Sequence, residues 1–172
     1  MKRKIITGII IVLCFLLQTT VFDALSFSHI KPNLLIIVTA SFGFMRGKKS
    51  GMFVGFICGL LSDMAFGNIL GFDGIIFTLI GYGNGFFHRI FFDDDIKLPL
   101  ALIGISDFLY GVVVYLTAFL LQGDFRFPYY LLHVILPELV YTIVITLVLY
   151  QIILYINKKL TKEEQRSASK FV

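Results

Sequence analysis

Glycine recurs every four residues through the middle of this chain, at Gly43, Gly47, Gly51, Gly55 and Gly59. The next two steps on the same spacing are Asp63 and Gly67, and more glycines follow at Gly71, Gly74, Gly81, Gly83 and Gly85. In water each glycine costs a helix about 1 kcal/mol against alanine. In a bilayer, where hydrocarbon gives helices no hydrophobic reason to associate, the missing side chain instead lets two backbones touch. The solvent therefore decides the meaning. Apolar residues make up 58% of the 172, charged residues only 15%, and mean hydropathy is +0.89, far from the norm for a soluble domain. The ladder predicts close helix packing inside a membrane, with one acid, Asp63, on the packed ridge.

A hydrocarbon core of ~30 Å calls for apolar stretches of about 20 residues. Six stretches are expected to be helical spans: Ile5–Phe22, Pro32–Met45, Ser50–Phe66, Ile69–Phe87, Leu98–Leu121 and Phe127–Ile156. Thirteen of the 15 lysines and arginines then fall on one side, leaving only Lys31 and Arg126 opposite. By the positive-inside rule that side is the cytoplasm, and both termini lie there. The expectation is an all-α integral membrane protein of the cytoplasmic membrane, with residues 1–157 as one six-helix domain. Residues 158–172 would form a basic, disordered cytoplasmic tail. The net charge of +4 suits anionic lipid heads. The basic residues flank spans and form no aromatic-interleaved patch, so nucleic acid is not an expected partner. The first apolar run is long for a signal peptide, and Ala24-Leu25-Ser26 is a weak cleavage site. Cys14 and Cys58 both fall inside spans and read as packing residues.

Within the third span Gly51, Gly55 and Gly59 form one drifting groove, because four residues advance a helix by about 400°. Asp63 extends that ridge to the carboxyl end of its helix, where the helix dipole opposes an anion. Two readings stand: the acid holds the following loop or meets a partner, or it is a hydrated aspartate capping local N–H groups. Asp73, just before the fourth span, reads as that helix's N-cap. Pro32 suits a first helical turn. Gly81-x-Gly83-x-Gly85 follows no strand and lacks the lysine of a phosphate cradle. Asp93-Asp94-Asp95 reads as a solvated turn, with contact to a basic partner as the alternative.

Asp107 lies ~14 Å into the fifth span and Glu138 ~16 Å into the sixth, at 1.5 Å per residue. A carboxylate at mid-membrane costs roughly 2.5–3.5 kcal/mol and usually faces the bundle interior. No lysine or arginine lies in the span cores, so the expected outcome is protonation, with hydrogen bonds to groups such as Tyr110, His133 or Tyr141. Asp107, His133 and Glu138 are thus a candidate buried polar site; the alternative is a separate structural hydrogen bond for each acid. Pro137 is expected to disturb the helix beside Glu138. His29, His88 and His133 lack metal spacing, and no serine or cysteine has a base and an orienting partner in view. No catalytic, metal or cofactor site is expected.

Lys31-Pro32-Asn33-Leu34, the Arg46-Gly47 turn, Gly55-Phe56-x-x-Gly59-Leu60-x-x-Asp63, Gly71-Phe72, Thr78-Leu79-Ile80-Gly81-Tyr82 and Leu136-Pro137-Glu138-Leu139 together resemble the MreD family of rod shape-determining proteins. The resemblance runs in order to about Ile156 and is most specific from Gly55 to Gly85. It implies a non-enzymatic membrane scaffold or regulator of bacterial cell elongation and lateral peptidoglycan synthesis. Expected partners are an MreC-like periplasmic protein, and beyond it MreB, RodA and a penicillin-binding transpeptidase. Pro32, Gly55, Gly59, Asp63, Gly71 and Gly81 carry over as motif positions for packing or partner contact, and Gly51 joins them through the groove. Asp107 matches no family pattern and rests on the burial argument alone. The alternative function is the substrate-binding component of an energy-coupling-factor vitamin transporter, which MreD relatives resemble distantly in fold. Such components carry an Ala-x-x-x-Ala type motif early in the chain, whereas Ile5–Phe22 contains no alanine.

Overall fold

A computed structural model of the chain describes residues 2–21, 31–66, 70–90, 96–122 and 127–168. Among these residues all regular structure is helical. Helix α1 (Lys2–Leu16) runs on into a π-turn, Leu17–Val21; α2 is Leu34–Arg46, α3 is Lys48–Phe66, and α4 is Phe72–Asn84, followed by a 3₁₀ segment, Gly85–Ile90. Helix α5 is Lys97–Gln122. The last rod, α6, joins Phe127–Tyr130, a π-turn at Leu131–Ile135 and the long helix Leu136–Ala168. The π-turn has a local cause: Pro137 offers no N–H, and Leu136 N–H reaches back to the Leu131 carbonyl.

Among the described residues, three helical stretches are long and apolar enough to cross a membrane: Arg3–Val21, Lys97–Thr117 and Pro128–Arg166. Their outer faces carry exposed Ile9, Leu13, Ile105, Leu109, Val144 and Val148, a distribution suited to lipid and not to water. Helix α2 is different. Its 13 residues span only ~20 Å at 1.5 Å each, and every one from Leu34 to Met45 is buried. A helix apolar on all sides needs cover on all sides, and the other rods give it: α3 and α4 are its main neighbours, with α1, α5 and α6 behind. Inward stripes complete the core, with Ile10, Ile11 and Cys14 on α1 and Tyr150 and Ile153 on α6.

The glycine ladder is the seam of this bundle. A Cβ on Gly51 would intrude on the Gly81 carbonyl, one on Gly55 on the Phe77 carbonyl, and one on Gly59 on the backbone of Asp73 and Gly74. Gly81 faces the Gly51 backbone in return, and Gly43 of α2 meets the same Gly81 carbonyl. The groove is therefore filled by α4 of the same chain. Gly47, at φ +83°, makes the tight α2–α3 turn and donates its N–H to the Gly43 carbonyl at 2.8 Å.

The far end of α6 departs from expectation. Residues 158–168, read above as part of a disordered tail, are helical. Lysine, glutamate, glutamine and alanine there favour helix, and Arg3 of α1 ties the segment down. Its guanidinium pairs with Glu164 and donates to Asn157 at 2.9 Å and Thr161 at 3.2 Å. Arg46 at the end of α2 lies in the same neighbourhood: burial, then repulsion from Arg3, lowers its guanidinium pKa from the ordinary value. Ala24–Ser26, His29, Gly67, Asp93–Asp95 and Arg126 lie outside the described residues.

Two alanine substitutions test the seam. Gly51→Ala should destabilise the folded protein by about 1–3 kcal/mol or more, since backbone cannot step aside as a side chain does. Gly83→Ala, on the same α4 but with nothing within 4 Å of the new Cβ, should be neutral or stabilising by up to about 1 kcal/mol. Reversible unfolding in mixed micelles checks both; equal effects would remove the seam.

Candidate functional site

The acid on the ladder reaches across to the next helix. Asp63 closes the ridge on α3 and is 3% exposed. Its Oδ2 accepts the N–H groups of Gly71 at 2.9 Å and Gly74 at 3.1 Å, and its Oδ1 accepts Asp73 N–H at 2.9 Å. These are donors that the first turn of α4 leaves without intrahelical partners. The dipole of α3 disfavours an anion at this end, but the starting dipole of α4 favours it. Asp63 thus holds the following loop by capping these N–H groups, as the second reading had it, but it is buried and not hydrated.

Asp73 does not cap α4. The cap position is Gly71, at φ +95° and without a side chain. Asp73 sits one residue inside the helix, and its carboxylate accepts the Ser62 hydroxyl at 2.7 Å and the Tyr110 hydroxyl at 3.2 Å. Tyr110 was an expected partner of the mid-span acids; it donates to Asp73 instead, and so joins α5 to α4.

A second set of side chains surrounds the start of α2. Asn33 Oδ1 accepts Ile36 N–H at 3.2 Å, Gln18 Oε1 accepts Leu35 N–H at 3.2 Å, and the Thr142 hydroxyl accepts Asn33 N–H at 3.1 Å. Thr142 also lies beside Asp107, which is 4% exposed and whose Oδ1 has no partner among the described residues. Glu138 lies one turn before Thr142 on α6, close enough to Asp107 for their charges to interact. The two acids therefore lie close to one another on α5 and α6. His133 does not join them. It is exposed, stacked on Tyr129 with centroids 4.3 Å apart, and its Nδ1 lies 3.1 Å from the Tyr129 carbonyl. His133 lies within the π-turn and faces outward, away from the cavity that Glu138 lines.

Between these sets lies a cavity of about 200 Å³ lined by Gln18, Lys31, Asn33, Ser62, Tyr110 and Glu138, with Pro32 in its wall. Gln18 and Thr142 are the site residues sequence reading weighed least. Gln18 is a polar residue in an aliphatic helix, and a π-turn begins just before it; Thr142 carries no signal beyond its spacing from Glu138. A separate apolar cleft of about 450 Å³ lies between α4 and α5, walled by Ile76, Leu79, Gly83, Leu102 and Leu109. At its base Asn84 Nδ2 donates to the Ser106 hydroxyl at 2.8 Å. Among the described residues no three histidine, cysteine or acidic side chains are grouped to hold a metal, and Cys14 and Cys58 are free and buried.

Residues 2–160 match the family described as rod shape-determining protein MreD. The match covers most of the chain, and the chain belongs to the MreD family, whose role is rod shape determination. No curated protein and no solved structure matched the chain.

Removing the acceptor of three buried amides should be costly. Asp63→Ala is expected to lose about 2 kcal/mol or more of stability. It should also speed hydrogen exchange selectively at the Gly71, Asp73 and Gly74 amides. Asp73→Asn keeps an oxygen for Ser62 and Tyr110 and should cost less. Unchanged exchange at those three amides in Asp63→Ala would rule out the cap.

Proposed function

We propose that this protein is a multi-pass scaffold of the cytoplasmic membrane that serves rod shape without a reaction of its own, by holding other proteins of lateral peptidoglycan synthesis. The family match over residues 2–160 carries this reading. Six passes with both termini cytoplasmic are part of it. In support, Arg3, Arg46 and the basic end of α6 gather at one end of the bundle, where a positive-inside topology would have them.

The ladder's part in the scaffold is indirect. Gly51, Gly55, Gly59 and Gly81 face one another's helices, so they make α2, α3 and α4 one stiff unit and leave partner contact to other surfaces. Asp63 and Gly71 shape the turn before α4, at the end opposite the basic residues. That turn, with Pro32 nearby, is the surface we assign to an MreC-like periplasmic partner; MreB, RodA and the transpeptidase would be held through the larger assembly.

The experiment is co-purification of the full-length tagged chain in mild detergent from a rod-shaped bacterium. An MreC-like protein with cell-wall synthesis proteins is the expected company. An ATPase pair with a membrane coupling subunit would overturn the scaffold in favour of transport. Gly55→Leu should lower abundance or partner recovery and round the cells; wild-type abundance, recovery and shape together would detach the seam from function.

A further inference from the structure

The cavity at the start of α2 carries unmet donors and unmet acceptors together. Gln18 and Asn33 line it and are 7% and 6% exposed. Their side-chain oxygens are spent on α2, where they accept the Leu35 and Ile36 N–H groups. That fixes which way each amide points, because a reversed amide would set NH₂ against N–H. Neither NH₂ group has a hydrogen-bond partner among the described residues. Since Leu35 and Ile36 are consecutive, the two NH₂ groups open beside one another. Leaving such donors buried and unpaired is costly.

Acceptors face the same space. Glu138 lines the wall and makes no hydrogen bond among the described residues. The Ser62 and Tyr110 hydroxyls give their hydrogens to Asp73, so toward the cavity they can only accept. A cation would answer these acceptors and leave the amide hydrogens unmet. An anion would answer the amides and lie against Glu138. The wall itself favours neither sign, with one ammonium at Lys31, itself already engaged, and one carboxyl group at Glu138. A hydroxyl group both donates and accepts, and two on neighbouring carbons meet the two amides together. Size narrows the class further. About 200 Å³ is the share of roughly six waters at ~30 Å³ each, and so of a guest with about as many non-hydrogen atoms. Waters would each want about three hydrogen bonds, more than these groups offer. A molecule with a short carbon backbone needs fewer, and Pro32 and the Tyr110 ring give that backbone an apolar wall.

We propose that this cavity binds a neutral vicinal diol of about the size of glycerol. The Gln18 and Asn33 NH₂ groups donate to its oxygens, and the Glu138 carboxyl group, Ser62 and Tyr110 accept from its hydroxyls. The site goes beyond the scaffold role and does not depend on it: either can fail while the other stands. The diol is carried by a free polyol or by a glycerol lipid headgroup; the recognition chemistry is the same.

The test uses the full-length protein in phosphatidylcholine nanodiscs, with saturation-transfer NMR of added glycerol, 1,2-propanediol and 1,3-propanediol read against empty discs. Glycerol and 1,2-propanediol should bind saturably. The 1,3 isomer, equal in size and composition but with its hydroxyls apart, should bind at least about fivefold more weakly. Glycine, which carries both charges, and ethanolammonium should displace glycerol no better than 1,3-propanediol does. Glu138→Leu should weaken glycerol by at least about tenfold, and the distant Glu163→Gln not at all. No saturable signal, which would leave water as the only occupant, would overturn the site. So would equal binding of the two isomers, stronger displacement by glycine or ethanolammonium, or unchanged affinity in folded Glu138→Leu. If Glu138→Leu does not fold, the wild-type preference among the probes decides alone. Loss of the glycerol signal in phosphatidylglycerol discs, but not in phosphatidylserine discs, identifies the headgroup as the occupant; its retention in both identifies a soluble diol.

Discussion

Backbone pressed on backbone along α3 and α4 is the contact on which this bundle depends. In hydrocarbon, helices gain nothing by hiding apolar side chains from one another, so association rests on dispersion and on how closely the main chains approach. Gly51 against Gly81, and Gly55 against the Phe77 carbonyl, give the closest approach open to two helices. Helix α2 lies against the same pair, with Gly43 on Gly81. Because α2 is buried all round, α1, α5 and α6 then have a fixed core to surround. A single added methyl group at the seam acts on three helices at once.

The acids near the helix starts obey a second rule, one of electrostatic matching between helix ends. Asp63 is badly placed with respect to its own helix and well placed with respect to the next, since it neutralises the amides that open α4. Asp73 is favoured by the same dipole and fixed by two hydroxyls. Asp107 and Glu138 lie beside the opening of α2, yet the α2 amides are answered by Asn33, Gln18 and Thr142. Of these two acids, Asp107 keeps one buried oxygen without a partner among the described residues.

How much of this was legible in the sequence follows from the range of each interaction. The order of the rods and the α3 ridge could be read, because hydropathy and a four-residue spacing are local properties. The partner of the ridge could not: nothing about Gly55 says that Phe77 supplies the facing carbonyl. Asp73 shows the same limit. Its position before an apolar run made it look like a cap, while the true cap came from Asp63, ten residues earlier and on another helix. His133 was grouped with Glu138 as a possible hydrogen-bond partner, whereas it is exposed and stacks on Tyr129. The helical reach of α6 to Ala168 depended on Arg3, at the other end of the chain. Pro137 was read as a disturbance of its helix, and the π-turn ahead of it is the form this takes.

The clasp between Arg3 and the end of α6 also orders events during synthesis. The α2–α3–α4 unit is made of neighbours in sequence, and its contacts close as soon as α4 has emerged. Helix α1 is made before this unit, but its anchoring partners Asn157, Thr161 and Glu164 are made only after it, with α6. Contacts this far apart in sequence form late and slowly. Helix α1 therefore has only its earlier contacts, those with α2 and α3, until α6 arrives to lock it. A ribosome that stalls before α6 would leave a compact centre with its first helix unlatched, a state that quality-control proteases could tell from the finished protein.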